Sequence, residues 1–321
     1  MKNNTPSQLK SILLQSKTAL IVSHIRPDGD TIGSALAMRE VLVKNGIKVT
    51  LVCDGQIPEK FSFLPETALY KKVEEISENQ DICIFVDCAS DGQMGESYKL
   101  LYNRQVTVNI DHHVSNKGYA KYNYIVNKGS CCEVLYELFV EMGQEIDQKI
   151  ANFLLLGMVT DTGNFAHNNT TSSTLKIAGE LMDKGADLYN INVKMFKSQS
   201  KSRSQLYLKV LGGIKFYHDD RVAIIRIHKS DLEELGLEQS ATEGFIDYPL
   251  TISNVEIAVS VMETKDKNFK VSFRSKGKAD VNQVAGTFGG GGHVCASGAM
   301  LRGFEEDVID KLVYTCGLYL D

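Results

Sequence analysis

Runs of apolar residues bounded by polar turns divide the first half of the chain into short strands and amphipathic helices. Thr18–Ser23 (TALIVS) predicts a buried strand. The loop HIRPDGD follows, then a helix from about Ile32 to Asn45 with Ile32, Ala35, Leu36, Val41 and Leu42 on its inner side and Gly46 as its stop. Ile47–Val52 predicts the next strand, so the chain opens with a βαβ unit and the sheet is expected to be largely parallel. Asp81–Val86 and Gln105–Ile110 predict two more strands. Ser130 and Glu133 have capping-box spacing and open a helix to about Met142. A helix from roughly Ile146 to Val159 follows and ends at Thr160-Asp161-Thr162-Gly163. An amphipathic helix over Thr174–Lys184 is stopped by Gly185.

The second half has a different rhythm. Ile214–Tyr217 and Val222–Ile227 flank a polar turn and predict a β-hairpin, and Val255–Glu263 and Phe269–Arg274 flank another. Short helices are expected near Ser230–Leu235 and Val281–Thr287. The predicted class is α/β: a mostly parallel N-terminal sheet over residues 1–189, a helical linker over 190–211, and a smaller mixed α+β domain over 212–321. The length of 321 residues agrees with two domains.

Composition narrows the partners. Lys+Arg 35 against Asp+Glu 40 gives a net charge of −5, which argues against a surface built for long duplex nucleic acid but leaves room for a small anionic ligand. Lys194, Lys197, Lys201, Arg203 and Lys209 form one basic stretch without an acid. Lys265 to Lys278 holds six basic residues and the single acid Asp266. The seven cysteines form no CxxC pair and are expected to be buried, reduced thiols in a cytoplasmic protein. The longest apolar stretch, around Phe153 to Val159, is far too short to span a bilayer, and the N-terminus has no continuous signal-peptide core.

The chemistry concentrates where strands end. In open α/β sheets, ligands gather beyond the carboxyl ends of the strands. The first strand runs into His24-x-x-x-Asp28-Gly-Asp30, DICIFV into Asp87, and QVTVNI into Asp111-His112-His113, while Asp161 closes an apolar helix. Each element alone reads as a turn or a cap. Together they would crowd carboxylates on one rim, and carboxylates repel unless cations neutralise them. Four carboxylates and two imidazoles without a thiolate favour Mn²⁺, Mg²⁺ or Fe²⁺/Co²⁺ over structural zinc. Two such ions, about 3.5–4 Å apart and bridged by a carboxylate, would activate a water and clamp phosphoryl oxygens.

These residues, in this order, resemble the four motifs of the DHH phosphoesterase superfamily. Asp161-Thr-Gly-Asn-Phe165 with Asn169-Thr-Thr, Phe273-Arg274-Ser275-Lys-Gly277, and Gly290-Gly291-Gly292-His293-x-x-Ala-Ser-Gly298 resemble the two-domain subfamily with a DHH-associated C-terminal domain. That subfamily includes nanoRNase/pAp-phosphatase enzymes and cyclic-dinucleotide phosphodiesterases. The resemblance implies one ion on His24, Asp28 and Asp87 and the other on Asp30, Asp87, His112 and Asp161, with Asp87 as the bridge. It implies Mn²⁺ as the metal, with Mg²⁺ or Co²⁺ as substitutes. His113 is then the donor or general acid beside the phosphate, and Asp111 orients an imidazole. Some relatives carry an Arg after the fourth-motif Phe; here Ala166 and His167 follow Phe165.

The run Gly289–Gly292 reads as a loop whose backbone amides can approach a phosphate, with Arg274, Ser275 and His293 as its neighbours at the substrate. The resemblance implies as substrates pAp, converted to AMP, and oligoribonucleotides of two to five units, cut to mononucleotides. Hydrolysis of cyclic di-AMP or pApA is the alternative; a pyrophosphatase and an inert nucleotide sensor are more distant ones. A homodimer is compatible with this reading, whereas a membrane partner is not expected.

Overall fold

The computed structural model describes residues 3–76, 79–100, 106–264 and 267–320. Gln105, Lys265 and Asp266 of the stretches named above lie outside them. The described residues form two units, Met1–Ser198 and Gln199–Asp321.

In the first unit, helix α1 (Pro6–Leu14) precedes β1 (Thr18–Val22), α2 (Gly29–Lys44), β2 (Lys48–Val52), β3 (Tyr70–Lys71), β4 (Ile82–Val86), β5 (Thr107–Asp111) and β6 (Tyr122–Ile125). Helices α3 (Cys131–Glu141), α4 (Gln148–Asp161), α5 (Ser172–Asp183) and α6 (Leu188–Phe196) follow. The sheet order is β3-β2-β1-β4-β5-β6, and every pairing is parallel. Its central strands β1 and β4 are apolar on both faces because both are covered. Ala19, Ile21, Ile82 and Ile84 join the core built with α2, α3 and α4, while Leu20, Val22, Cys83 and Phe85 form a second core on the other side. The strand order reverses between β1 and β4, and a cleft opens at such a switch point.

Two details set where the site residues stand. Helix α2 begins three residues before the predicted Ile32, because the Asp28 side chain caps it by accepting the Asp30 and Thr31 amides. The β-carbons that Gly33 and Gly157 lack would lie 2.4 Å from the Phe153 carbonyl and 2.6 Å from Asp30 Oδ1. Only glycine at these two positions lets α2 and α4 approach this closely.

The second unit holds α7 (Lys201–Gly212), β7 (Lys215–Tyr217), β8 (Val222–Ile227), α8 (Lys229–Glu234), α9 (Asp247–Leu250), β9 (Ile257–Glu263), β10 (Asn268–Ser275), α10 (Val281–Gly286), β11 (Gly291–His293), β12 (Ala296–Arg302) and α11 (Glu305–Gly317). Its sheet runs β11-β12-β10-β9-β8-β7, antiparallel except between β8 and β9. Val222, Ile224, Val259, Val271 and Phe273 pack beneath α10 and α11, and Ile225, Ile227 and Ala258 pack with Leu206 and Val210 of α7. The stretch read as a linker thus carries two helices, one in each unit.

The glycine run departs from the expected loop. Gly291 and Gly292 pair with Gly298 and Ser297 as an edge strand. A β-carbon on Gly290 would sit 2.1 Å from the Gly298 carbonyl, so close strand approach, rather than flexibility, is what glycine provides there.

Candidate metal centre and active site

The carboxyl ends of β1, β4 and β5 and the ends of α2 and α4 bring His24, Asp28, Asp30, Asp87, His112, His113 and Asp161 together. Potential ligand atoms of His24, Asp28 and Asp87 lie within 4.8 Å of one another, as do those of Asp30, His112 and Asp161 and those of Asp87, Asp111, His112 and His113. Asp87 belongs to two of these groups. Its Oδ2 is 3.7 Å from His24 Nε2 and its Oδ1 is 3.5 Å from His112 Nε2. His112 Nε2 is also 3.9 Å from Asp30 Oδ2 and 3.8 Å from Asp161 Oδ2.

Asp87 is buried and takes a left-handed backbone conformation, φ 54°, directly after β4. Asp tolerates this region better than most residues, and the turn aims its carboxylate back across the strand ends. Thr31, in the first turn of α2, donates to Asp87 Oδ2 at 2.6 Å. Asp87 Oδ1 is buried without a hydrogen-bond partner. An anionic oxygen left so is costly unless a cation fills the gap.

The other acids are anchored as firmly. Asp30 is buried, with Oδ2 accepting from the Cys131 amide at 2.6 Å and Oδ1 from the Cys132 amide at 2.9 Å. These are open N–H groups at the start of α3, where the helix dipole favours a negative charge. Asp161, the last residue of α4, is met by the Asn169 amide, which reaches its carbonyl at 3.2 Å and the Gly129 carbonyl at 2.9 Å. The turn beyond it holds Gly163, Asn164 and Phe165 in succession at positive φ. His112 Nδ1 lies 3.1 Å from the Lys128 carbonyl, which can only accept, so Nδ1 carries a proton and Nε2 faces the acids.

The electrostatics describe a site short of positive charge. Burial, then Asp87 and Asp161, push Asp30 well above the ordinary carboxylate range. Burial and Asp87 raise Asp28, and burial, with Asp87 and Asp28, raises Asp161 to about 6. Burial opposes the charge on His112, yet Asp87, Asp30 and Asp161 outweigh it and push that imidazole up to about 10. Burial likewise works against the charge of Asp87, but His112, His24 and Thr31 hold its carboxyl well below the usual range. In the metal-free protein, protons and imidazolium do what divalent cations do better. The oxygen and nitrogen donor set, without a thiol among the clustered groups, fits such cations.

His113 stands beside this cluster. Its Nδ1 is 2.8 Å from Asp111 Oδ1, and that carboxylate raises its pKa against the effect of burial. His167 is exposed, with Nδ1 3.3 Å from the Asp161 carbonyl. In the second unit, Arg274 is half-buried, donates to the Phe273 carbonyl and has Nε 3.8 Å from Asp247 Oδ1. The Ser275 hydroxyl points inward and donates to the Ala279 carbonyl at 2.7 Å. His293 is exposed at the end of β11.

Several groups that shape the site carry no signal in a list of chemically reactive residues. The Cys131 and Cys132 amides and the Lys128 carbonyl are backbone, so residue type is silent about them. Thr31 follows the acidic loop directly and could have been suspected from that position. The capping-box spacing at Ser130 is half realised: Ser130 caps α3 by accepting the Glu133 amide, while the Glu133 carboxylate takes the Gly129 amide and the Thr174 hydroxyl.

Residues 18–158 match the family described as "DHH family, N-terminal domain", and residues 219–316 match the "DHHA1 domain". The chain is 28% identical to the bifunctional oligoribonuclease and PAP phosphatase NrnA of Thermus thermophilus, over 89% of this chain and 85% of that protein. It is 28% identical to the protein of the same name from Bacillus subtilis, over 90% of this chain and 91% of that one. The crystal structure of an exopolyphosphatase-related protein from Bacteroides fragilis superposes with a TM-score of 0.91 at 27% identity, covering 98% of this chain and 96% of that one.

Proposed function

We propose, from the match of residues 18–158 to the DHH family N-terminal domain and of residues 219–316 to the DHHA1 domain, that the chain is a manganese-dependent phosphoesterase that hydrolyses short oligoribonucleotides to mononucleotides and pAp to AMP. The observation that carries this reading is the buried Asp87 carboxylate, which groups with His24 and Asp28 on one side, lies 3.5 Å from His112 Nε2 on the other, and holds one oxygen without a hydrogen-bond partner. His24, Asp28 and Asp87 would hold one ion, and Asp30, Asp87, His112 and Asp161 the other. The ions, when bound, supply Lewis acidity that favours ionisation of water and offsets charge on the phosphoryl oxygens.

The chain's own residues do the rest. The Lys128 carbonyl orients His112, and the amides at the start of α3 hold the Asp30 carboxyl in place. His113, held by Asp111, presents its other ring nitrogen as the group that gives a proton to the departing oxygen. In the DHHA1 domain, Arg274 and His293 offer cationic and hydrogen-bonding groups to a substrate phosphate, whereas the Gly290 amide is already given to the Ala285 carbonyl and the Gly292 amide to Asn282 Oδ1. The inward hydroxyl of Ser275 shapes that turn instead of reaching outward.

The names of the relatives from T. thermophilus and B. subtilis support the choice of substrate. No disulfide joins any of the seven cysteines, and six of them are buried, which supports a reducing, cytoplasmic setting. No helix among the described residues is long and apolar enough to cross a membrane.

A panel of pAp, a diribonucleotide, pApA, cyclic di-AMP and pyrophosphate, assayed with Mn²⁺ after chelation, tests the assignment. Release of phosphate and AMP from pAp, and of mononucleotides from the diribonucleotide, is expected at the highest kcat/KM. Turnover of pyrophosphate or cyclic di-AMP alone would overturn it.

A further inference from the structure

Asp111, buried at the carboxyl end of β5, gives each of its oxygens a different partner. Oδ1 faces His113 Nδ1 at 2.8 Å, and Oδ2 accepts from Asn116 Nδ2 at 2.6 Å. The Asn116 amide cannot be turned round. Its Oδ1 accepts the Gly118 amide at 2.8 Å, while Nδ2 also reaches Asn109 Oδ1 at 2.7 Å and the Cys88 carbonyl at 3.1 Å. A flipped amide would set its oxygen against three acceptors and its nitrogen against a backbone donor.

The network is closed at both ends by backbone. Asn109 Nδ2 donates to the Tyr119 hydroxyl at 2.9 Å, and that hydroxyl donates to the Cys88 carbonyl at 2.9 Å. The Gly118 N–H and the Cys88 C=O cannot exchange roles, so the direction of each hydrogen between them is determined. Cys88 follows the left-handed Asp87. One amide therefore braces both the turn after β4 and the carboxylate at the end of β5.

An amide N–H can only donate, so Asp111 Oδ2 is an acceptor and carries no hydrogen, which leaves Oδ1 to accept the hydrogen of His113 Nδ1. We propose that Asn116 is a positioning residue for His113: its side-chain amide holds Asp111 as a two-sided acceptor and thereby keeps a hydrogen on His113 Nδ1, leaving Nε2 as the outward nitrogen that gains and gives up the catalytic proton. A free neutral imidazole is under no such constraint. The role of His113 in turnover rests on the phosphoesterase reading above, whereas the state of its ring does not.

The test uses the Mg²⁺-loaded protein, labelled with ¹⁵N at histidine, and its Asn116→Asp variant, which keeps the shape and the acceptor for Gly118 but removes both N–H donors. Nitrogen chemical shifts report which ring atom of His113 carries the proton. We expect Nδ1–H in the parent protein and a redistribution toward Nε2–H in Asn116→Asp. With it, kcat for pAp should fall by about 10–100-fold at unchanged KM and metal content, the usual scale for losing a partner of this kind. Asn116→Ser, whose shorter side chain offers one hydroxyl donor and no added charge, should recover part of the loss and also serves if the Asp variant fails to fold. An unchanged ring in both variants, or a loss of kcat that tracks lost metal, would overturn the assignment. A ring that responds in a protein that hydrolyses none of the panel would leave the positioning role standing and end the phosphoesterase reading.

Discussion

Thr31 Oγ1 donates a 2.6 Å hydrogen bond to Asp87 Oδ2, tying the first turn of α2 to the left-handed turn after β4. Both side chains are buried, so water cannot replace the bond if it is lost. Thr31→Val keeps the shape and removes the donor. A hydrogen bond to a charged group is worth about 1.5–3 kcal/mol, and a stability loss of that order is expected in chemical denaturation. Metal affinity should weaken by roughly 10–100-fold as Asp87 loses its orientation. A variant as stable and as metal-avid as the parent would show that Thr31 only fills space.

Asp87 Oδ2 lies 3.7 Å from His24 Nε2 and its Oδ1 3.5 Å from His112 Nε2, so its removal should empty both proposed sites together. Asp87→Ala, equilibrated with Mn²⁺ and freed of excess metal, should lose both ions, where the parent protein keeps two. Cation binding should also raise the parent's Tm, since a ligand at about 100 times its Kd adds about 2.7 kcal/mol, and the variant's Tm should respond little. Two ions retained in Asp87→Ala would remove the bridging role.

Asp161 gives a prediction whose sign depends on the metal. Burial, together with Asp87 and Asp28, outweighs His112 and lifts its pKa from 3.8 to about 6. The folded, metal-free protein then holds this proton more tightly than the unfolded chain does. Its stability therefore falls as pH rises from near 4 through about 6, and the penalty is complete above that. In the metal-free protein at neutral pH, Asp161→Asn should be more stable than the parent by roughly 1–3 kcal/mol, and the gain should vanish toward pH 4. With saturating Mn²⁺ the order should reverse, because the carboxylate is then a ligand. Thermal melts at two pH values, with and without the cation, separate these cases; a variant less stable in every condition would contradict the argument.

Arg274 lies two residues from Lys276 on β10 and its neighbouring turn, with Asp247 as its acidic neighbour. If it binds a substrate phosphate, the pair is worth roughly 1.5–3 kcal/mol. Arg274→Ala should then lower kcat/KM for pAp or a diribonucleotide by about 10–100-fold. Hydrolysis of bis-p-nitrophenyl phosphate, which engages the metals and little else, should change far less. Equal losses on both substrates would mean that Arg274 serves the fold or the chemistry, and not selection of the nucleotide.

The sequence by itself determined the strands and the rim. TALIV and ICIFV are almost wholly apolar because the sheet is covered on both faces, and TVNID carries Val108 and Ile110 into the core, so the ends of these strands were legible as the places where His24, Asp87 and Asp111-His112-His113 emerge. Parallel pairing followed from the alternation of strand and helix. The acidic crowding also implied cations before any distance was known.

Tertiary structure decided how those groups are held. The Asp30 carboxylate rests on two backbone amides about a hundred residues away in sequence, and His112 leans on a carbonyl, and neither partner has a side chain to advertise it. Asn116 reads as an ordinary loop residue until the ends of β4 and β5 come side by side and give its amide three acceptors. The glycine run looked like a loop because a flexible composition and a close strand contact require the same residue; only the neighbouring β12 shows which of the two applies. Local sequence reports what a segment can do with its own backbone and its own periodicity. The partners that orient a charge arrive from elsewhere in the chain, and burial then makes their geometry binding.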